Sequence, residues 1–493
     1  MSIDVIHAPL VEPSVQNVGR DRGQALSVAA MVIVFFALWL GMEAPHGTMC
    51  GTDELLTAER TREMLMTGRW VVHYNFHRSF EKPPLQYWLT SLTLPRFQNR
   101  ALAVRVWPLF YGILTAAALA WLVLLIEPNR PWLVPLSLAI LVSAPLFSTE
   151  CARGLLDVGL ALFTTLTIIF TELARKKPVW WIGVALACGL SSLQKFPLPF
   201  LIWVLIVLVR LTSRDERAEL RKGMGWLAGS MLLAIALMSI WTLLQIRDYG
   251  MSLNLFYHDE ILVWLGPQYL GGKPYFEIPI AMSLEGGLCG FLSLIGLFVI
   301  LFSKRERESR TAWELAWVTL AFLLLLIVSN FRHVRYAIPV VPVLCFLLAF
   351  VFYRFLRGAP PVRKRATVAL FVLLAAGFIH AGIHIHLRRR DVDDEKAVAE
   401  KLGQLQQGGT ETVLIKAIVP GNDLLWDSFY LFHGNLQFPV TKLTTDEIRR
   451  QQPKPPLIGA SIARDFPVVQ ELYPNVEVEL TRAQFICWRV PRQ

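Results

Sequence analysis

Long apolar runs separated by short polar loops are the feature that most constrains how this chain folds. A helix that spans a bilayer needs roughly 17 to 25 mainly apolar residues, and eleven runs approach or reach that length. They cover residues 25–42, 104–126, 132–148, 155–173, 179–194, 197–212, 224–246, 278–302, 312–329, 337–356 and 366–387. Because a backbone inside lipid must satisfy its own hydrogen bonds, we expect an all-α polytopic membrane protein with about 11 to 13 transmembrane helices.

The composition supports a membrane protein and argues against a nucleic-acid partner. Of the 493 residues, 54% are hydrophobic and 17% are charged, whereas soluble domains carry about 25% charged residues. The formal net charge is +10, but the basic residues lie in short clusters between apolar runs. That distribution is typical of membrane topology rather than of a nucleic-acid-binding surface.

The basic clusters predict how the chain is oriented. They occupy alternate loops, at 175–177, 214–222, 304–310 and 357–365. The positive-inside rule places these loops and the N-terminus in the cytoplasm, and an odd number of spans then places the C-terminus outside. The loops 43–103 and 247–277 share that outer face, which we expect to be the periplasmic or extracellular side of a cell inner (plasma) membrane.

The last quarter of the chain differs in composition from the rest. We expect residues 1–387 to form the transmembrane domain and residues 388–493 to form a small soluble α/β domain on the outer face. The segment "DDEKAVAEKLGQLQ" predicts a helix and "TVLIKAIV" a strand, and further short elements of both kinds follow. No glycine fingerprint of a dinucleotide site and no catalytic constellation occur there. Its predicted role is to cover the site or to contact an acceptor.

Two acidic segments lie in the first outer loop. Asp53 and Glu54 open a predicted helix with Thr52 as its N-cap, where they could simply complement the helix dipole or belong to a site. In "RSFEKPPLQYWLT", the two prolines predict the start of a helix directly after Glu81 and Lys82. These two charges either extend to the membrane interface or point into a cavity.

Further charged residues fall at the outer ends of later runs. Arg153 and Asp157 are four residues apart, which on a helix would place them on one face, as a helix-end ion pair or as part of a site. The other outer basic residues, each of which could be an ordinary interfacial cation, are Lys195, Lys273, Arg332 and Arg335, the last followed by Tyr336.

The residues collected at this face indicate the kind of ligand. Several cations favour an anionic group such as a phosphate, and carboxylates favour a hydroxyl or an amine. His73 and His77 have a spacing that suits two metal ligands on a helix, yet "HYNFH" is a poor helix. We therefore expect no cofactor, with a divalent metal as the alternative.

Five motifs occur in an order that resembles a known family. They are "DELLTAERTREMLMTGRW", "EKPPLQYWL", "ARGLLDVGLALF", "LQKFPLPFL" and "RYAIPVVP", spread over roughly residues 45 to 350. They resemble bacterial aminoarabinose transferases and related polyprenyl-phosphate glycosyltransferases, in the GT-C class that also holds protein O-mannosyltransferases. The resemblance implies transfer of a sugar from a polyprenyl-phosphate (undecaprenyl) donor. The implied acceptor is a lipid (lipid A-like), a glycan or a protein on the periplasmic face, and the implied process is cell envelope biogenesis.

The resemblance also implies roles for individual residues. Asp53 is the prime catalytic candidate, with Glu54 and Asp157 beside it, and Lys82 would hold the donor phosphate next to Glu81. The other implied donor-phosphate residues are Arg153, Lys195, Lys273, Arg335 and Tyr336. The chain departs from the family where Leu56-Thr57 replaces an Arg-Tyr pair and where Phe196 replaces the glycine of a Lys-Gly-Pro motif. The exact sugar and acceptor are therefore left open.

Other function classes make different predictions. A lipid-linked sugar flippase or transporter would carry ionisable residues near the bilayer midplane and broken helices in paired positions, and Glu285 is the main residue that fits. A non-enzymatic membrane scaffold would not explain the charged motifs Glu81-Lys82 and Arg153/Asp157. A polymerase or ligase that uses a diphosphate-linked oligosaccharide typically lacks the paired D-E and E-K-P-P motifs.

Overall fold

The computed structural model describes most of the chain. It covers residues 15–49, 51–68, 70–79, 82–195, 197–249, 277–302, 309–329, 333–387, 392–406, 408, 410–415 and 427–492. Helices make up the part up to residue 387, and a mixed α/β unit follows from residue 392.

The helices of the first part vary widely in length. In chain order they are α1 (Val15–Glu43), α2 (Thr52–Thr67), α3 (Leu85–Thr93), α4 (Arg100–Ile126), α5 (Leu133–Ser143), α6 (Pro145–Cys151), α7 (Asp157–Lys176), α8 (Trp181–Gln194), α9 (Leu198–Leu211), α10 (Arg214–Lys222), α11 (Met224–Tyr249), α12 (Glu277–Leu284), α13 (Gly287–Phe302), α14 (Arg310–Val328), α15 (Val341–Leu356) and α16 (Pro360–Leu387). Short 3-10 helices cover Pro178–Trp180 and Val334–Val340, and a hairpin of β1 (His73–Tyr74) and β2 (His77–Arg78) lies between α2 and α3.

The chain is a polytopic membrane protein, as predicted, but with fewer long spans than the eleven apolar runs suggest. Among the described residues, seven helices are long and apolar enough to cross a membrane, or eight if α5 and α6, bent by 69°, form one span. The bend falls where extended Ala144 precedes Pro145, because proline disfavours a helical conformation in the residue before it. The run 278–302 is divided at Gly287, whose φ of +57° suits glycine.

The interior of the bundle is centred on the segment Val334–Leu356. The 18-residue apolar window of that segment is 100% buried, whereas the corresponding windows of α11 and α16 are each 17% buried. Large apolar side chains on the peripheral helices are therefore exposed to lipid, which is as apolar as they are. Arg335 and Tyr336, two of the predicted site residues, lie at the start of this segment.

The C-terminal unit is the small α/β domain that the sequence predicts. Its elements are α17 (Asp393–Leu405), β3 (Glu411–Ile415), α18 (Asp427–His433), β4 (Val440–Leu443), α19 (Thr445–Gln451), β5 (Leu457–Ile462), α20 (Phe466–Leu472), β6 (Glu477–Arg482) and β7 (Phe485–Val490). The sheet order is β4-β3-β5-β7-β6. The first three strands run parallel, and β7 pairs antiparallel with both β5 and β6.

The C-terminal domain packs directly on the loop between α1 and α4. Leu55 and Ala58 of α2 share one apolar core with Phe429 of α18. The Asn75 side chain of the hairpin donates to the Val440 carbonyl and accepts from the Val440 amide, both at 2.8 Å. We call this end of the bundle, with residues 43–103 and the C-terminal domain, the domain end.

Candidate functional site

Asp53 and Arg335 form an ion pair at the domain end of the bundle. α2 begins at Thr52, and its N-cap is Gly51 rather than the predicted Thr52. The Asp53 side chain is 42% exposed, so this pair is open to a ligand. Burial opposes ionisation, but Arg335, Lys195 and Arg153 together hold the pKa of the Asp53 carboxyl below its usual value. Three predicted cations thus lie around one carboxylate.

A second ion pair, between Lys195 and Asp157, is almost completely buried. The Lys195 ammonium lies 2.7 and 2.9 Å from the two carboxylate oxygens, and the side chains are only 6% and 2% exposed. Asp157 is the first residue of α7, where the helix dipole favours a negative charge. The Lys195 ammonium also lies 5.1 Å from the centre of the Tyr336 ring, which connects this pair to the neighbour of Arg335.

The expected helical pair between Arg153 and Asp157 is wrong. Arg153 lies in the turn between α6 and α7 and pairs with Glu150 at 3.3 Å, and α7 begins only at Asp157. This turn packs closely on α4, since a Cβ at Gly154 would lie 2.5 Å from a methyl group of Val104. Spacing along the sequence cannot reveal that turn.

Arg153 lies instead over the beginning of α2. A Cβ built on Gly51 would lie 2.9 Å from a terminal guanidinium nitrogen of Arg153, so this glycine allows the close approach. The position agrees with the electrostatic effect of Arg153 on Asp53, two residues further on.

Glu54 is held by interactions that leave it little freedom. It is 3% exposed, and Arg105 donates to its two carboxylate oxygens at 2.6 and 3.1 Å. The backbone amide of Gly154 donates to the same carboxylate at 3.0 Å. These contacts fasten the start of α2 to α4 and to the turn that carries Arg153.

Of the remaining predicted site residues, the structure describes Lys82 but not Glu81, Lys273 or Arg332. Lys82 is half-buried and directly precedes Pro83-Pro84, after which α3 begins at Leu85 as predicted. His73 and His77 occupy opposite strands of the hairpin rather than one helix face. Among the described residues, no group of three or more His, Cys, Asp or Glu side chains could hold a metal ion.

A buried glutamine that the sequence analysis overlooked joins the elements around the site. The Gln194 amide donates to Gln86 at 3.1 Å and to the Leu156 carbonyl at 3.0 Å, and it accepts from the Tyr111 hydroxyl at 3.2 Å. Gln194 is fully buried and directly precedes Lys195. Of its partners, Gln86 lies four residues after Lys82, and Leu156 directly precedes Asp157. The sequence did contain a signal for Gln194, namely a polar amide at the end of an apolar run. Polar groups inside a membrane bundle need partners, so such a residue indicates buried hydrogen bonds.

Comparison with known proteins agrees with the motif resemblance. Residues 81–241 match the family described as dolichyl-phosphate-mannose-protein mannosyltransferase. The undecaprenyl phosphate-alpha-4-amino-4-deoxy-L-arabinose arabinosyl transferase of Pseudomonas savastanoi pv. phaseolicola is 27% identical over 344 residues, 67% of this chain. A second such transferase, from Proteus mirabilis, is 28% identical over 334 residues, 65% of this chain. The matched regions span 61% and 58% of those relatives' lengths.

Solved structures share the fold along nearly the whole chain. ArnT from Cupriavidus metallidurans bound to undecaprenyl phosphate superposes with a TM-score of 0.72 at 15% identity, covering 94% of this chain and 98% of that one. The archaeal oligosaccharyltransferase AglB from Archaeoglobus fulgidus gives 0.64 at 11% identity, covering 89% of this chain and 69% of that one. The chain is therefore similar, at a distance, to the membrane glycosyltransferases that include the aminoarabinose transferases and the dolichyl-phosphate-mannose-protein mannosyltransferases.

Proposed function

We propose that this protein transfers a sugar from a polyprenyl-phosphate donor to an acceptor at the domain end of the bundle. The observation that carries the proposal is the cluster in which Arg335, Lys195 and Arg153 surround the half-exposed Asp53. Relatives named undecaprenyl-phosphate aminoarabinose transferases support the donor class. We place this end on the periplasmic side of the inner membrane, in agreement with the distribution of basic loops.

In this reaction the cations of the cluster stabilise the departing phosphate. As the bond between sugar and phosphate breaks, negative charge grows on the departing lipid phosphate, and fixed cations in a partly dehydrated site stabilise it. We assign Arg335 and Arg153 to that phosphate, because they lie at the accessible edge of the cluster. Lys82 joins them from the start of α3, and the predicted neighbours Glu81 and Lys273 belong to the same proposal.

The carboxylates differ in their proposed roles. A lowered pKa keeps Asp53 ionised at neutral pH but makes it a weak base. Asp53 therefore orients the acceptor hydroxyl or amine, or the sugar, more than it removes a proton. Asp157 fixes Lys195 beside Tyr336, and Glu54 fixes α2, so both act as positioning residues.

The acceptor is a lipid (lipid A-like), a glycan or a protein. The C-terminal domain shares a core with α2, the helix that carries Asp53. We therefore propose this domain as a contact surface for the acceptor.

The test is sugar transfer by purified protein in lipid vesicles that contain a panel of radiolabelled polyprenyl-phosphate sugars and candidate acceptors. Asp53→Asn and Arg335→Gln each remove one charge of the exposed pair, and we expect a loss of about a hundred- to thousand-fold in rate. Arg449→Gln, which removes an exposed ion pair with Glu471 in the C-terminal domain, is the matched control and should leave transfer unchanged.

The outcomes separate the alternatives. Transfer that persists in both site variants would remove this cluster from the mechanism. Movement of the labelled carrier across the bilayer without a new glycosidic product would indicate a flippase instead.

A further inference from the structure

A cavity that the proposed transfer reaction does not use lies far from Asp53. Its volume is about 380 Å³. It is lined by Trp132, Pro135 and Leu136 at the start of α5 and by Tyr353, Leu356 and Arg357 at the end of α15. Tyr353 lies 18 residues beyond Arg335 along the central segment, which is at least about 27 Å, because the α-helical rise is about 1.5 Å per residue and the rise of the 3-10 helix Val334–Val340 is larger. The cavity therefore lies at the opposite end of the bundle from the domain end.

Two guanidinium groups lie on aromatic rings about one turn apart on α15, one of which, Tyr353, lines this cavity. The Arg357 guanidinium carbon is 4.7 Å from the centre of the Tyr353 ring, and that of Arg130 is 5.1 Å from the centre of the Phe350 ring. Phe350, Tyr353 and Arg357 are spaced by three and four residues, so they share one helix face. Stacking on the rings fixes the two cations at the edge of an apolar space.

The charge that faces the cavity is that of Arg357. Arg130 is partly neutralised by Glu127, whose carboxylate is 3.5 Å away and also accepts from the Ser309 hydroxyl. Within the described part of the chain, Arg357 has no carboxylate partner, and it is exposed. An anion could therefore approach Arg357 without displacing an existing ion pair.

Tyr353 supplies a second, independent indication of a ligand. The residue is only 7% exposed, and its hydroxyl has no hydrogen-bond partner among the described residues. Buried polar groups nearly always have a partner, so an unpartnered hydroxyl on a residue that lines a cavity indicates a missing one. The apolar remainder of the lining (Pro135, Leu136 and Leu356) suits a hydrocarbon chain rather than a free, hydrated anion.

We infer that this cavity binds an anionic phospholipid of the leaflet opposite the transfer site. The head-group phosphate contacts Arg357, with Arg130 nearby and the Tyr353 hydroxyl as donor, and one acyl chain lies along α5 and α15. Basic pockets between transmembrane helices are typical sites for acidic head groups. Trp132, which is 36% exposed, has the amphipathic ring that is enriched at the membrane interface.

The test is native mass spectrometry of the purified full-length protein titrated with phosphatidylglycerol or with phosphatidylcholine of the same acyl chains. We expect the wild type to retain phosphatidylglycerol preferentially. Arg357→Gln should weaken that retention about fivefold, as loss of one basic contact to an acidic membrane lipid implies, and Tyr353→Phe should weaken it to a smaller extent. Lys364→Gln removes an equal charge from an exposed position of α16 that does not line the cavity, and it should bind like the wild type.

Further arms of the experiment separate lipid binding from other sources of phosphate. Inorganic phosphate at millimolar concentration should neither displace phosphatidylglycerol nor raise the unfolding temperature in an Arg357-dependent manner; if it does, the site binds a soluble anion. Displacement by a polyprenyl phosphate would assign the cavity to the donor's tail. Equal retention of the two phospholipids, or an equal effect of Arg357→Gln and Lys364→Gln, would also overturn the inference.

Discussion

The Lys195 ammonium contacts both oxygens of the Asp157 carboxylate, at 2.7 and 2.9 Å, where the start of α7 meets the end of α8. Both side chains are nearly inaccessible, so neither charge has water as a substitute partner. Removal of one member of such a pair leaves the other charge buried without this counter-charge.

The first prediction concerns this pair. Asp157→Asn should lower the free energy of unfolding by about 3 to 5 kcal/mol, since it leaves the Lys195 charge buried. Chemical denaturation of purified protein, followed by tryptophan fluorescence, measures the change. Replacing both residues, as Asp157→Asn with Lys195→Met, should cost less than the sum of the single changes. Additive effects would show that the two charges do not depend on each other.

The second prediction concerns the pH dependence of Asp53. Its lowered pKa means that ionised Asp53 contributes stability above the ordinary carboxyl pKa, and that this contribution is lost only as the pH falls through the lowered value. Arg335→Gln removes the largest lowering influence on the Asp53 pKa, so the acid limb of kcat/KM should move to higher pH. Asp53→Asn should lack this limb, and an unmoved limb in Arg335→Gln would assign it to another group.

The third prediction concerns a buried acid pair on α2. Burial and the neighbouring Glu59 raise the pKa of Glu63 to about 8, although the Phe76 amide donates to it. The folded state then holds a proton that the unfolded state releases above pH 4.5, so stability should decrease as the pH rises from about 5 to 8.

Unfolding temperatures measured across this range test the effect. Glu63→Gln should reduce the dependence of the unfolding temperature on pH by the contribution of one proton, because the amide does not titrate. The exposed Glu471→Gln is the control and should retain the wild-type slope. An identical slope in Glu63→Gln would place the titrating group elsewhere.

The fourth prediction concerns Gln194. Gln194→Leu has a similar volume but leaves Gln86, Tyr111 and the Leu156 carbonyl without this partner, at about 1 to 3 kcal/mol for each group that finds no other. Because Gln194 lies between the segments that carry Lys82, Asp157 and Lys195, we expect a lower kcat with bound donor as well as reduced stability.

A conservative variant separates positioning from general destabilisation. Gln194→Glu keeps the length and the acceptor for Tyr111 but lacks the amide donors to Gln86 and Leu156. Measured well below both unfolding temperatures, Gln194→Glu should recover part of the lost kcat. Variants that lose stability yet keep the wild-type kcat would make Gln194 a structural residue only.

The membrane class, the helical fold and the C-terminal α/β domain could be predicted from the sequence. These follow from the length of apolar runs and from alternating short elements, which are local properties of the chain. The motifs also indicated the resemblance to membrane glycosyltransferases, and they singled out Asp53, Lys195 and Arg335, of which both cations act on the Asp53 carboxyl in the structure. The number of long spans was less predictable, because a kink before Pro145 and a break at Gly287 divide two apolar runs.

Which charges form pairs could not be predicted from the sequence and depends on the packing of the helices. Arg153 is four residues from Asp157 in sequence, yet Asp157 pairs with Lys195, 38 residues away, and Asp53 pairs with Arg335, 282 residues away. The physical reason is that a buried charge pairs with whatever opposite charge the packing of helices brings within contact distance, and that packing is set by side chains from the whole bundle. Gln194 was overlooked for the same reason, since its hydrogen bonds join three helices and a turn that no local pattern connects.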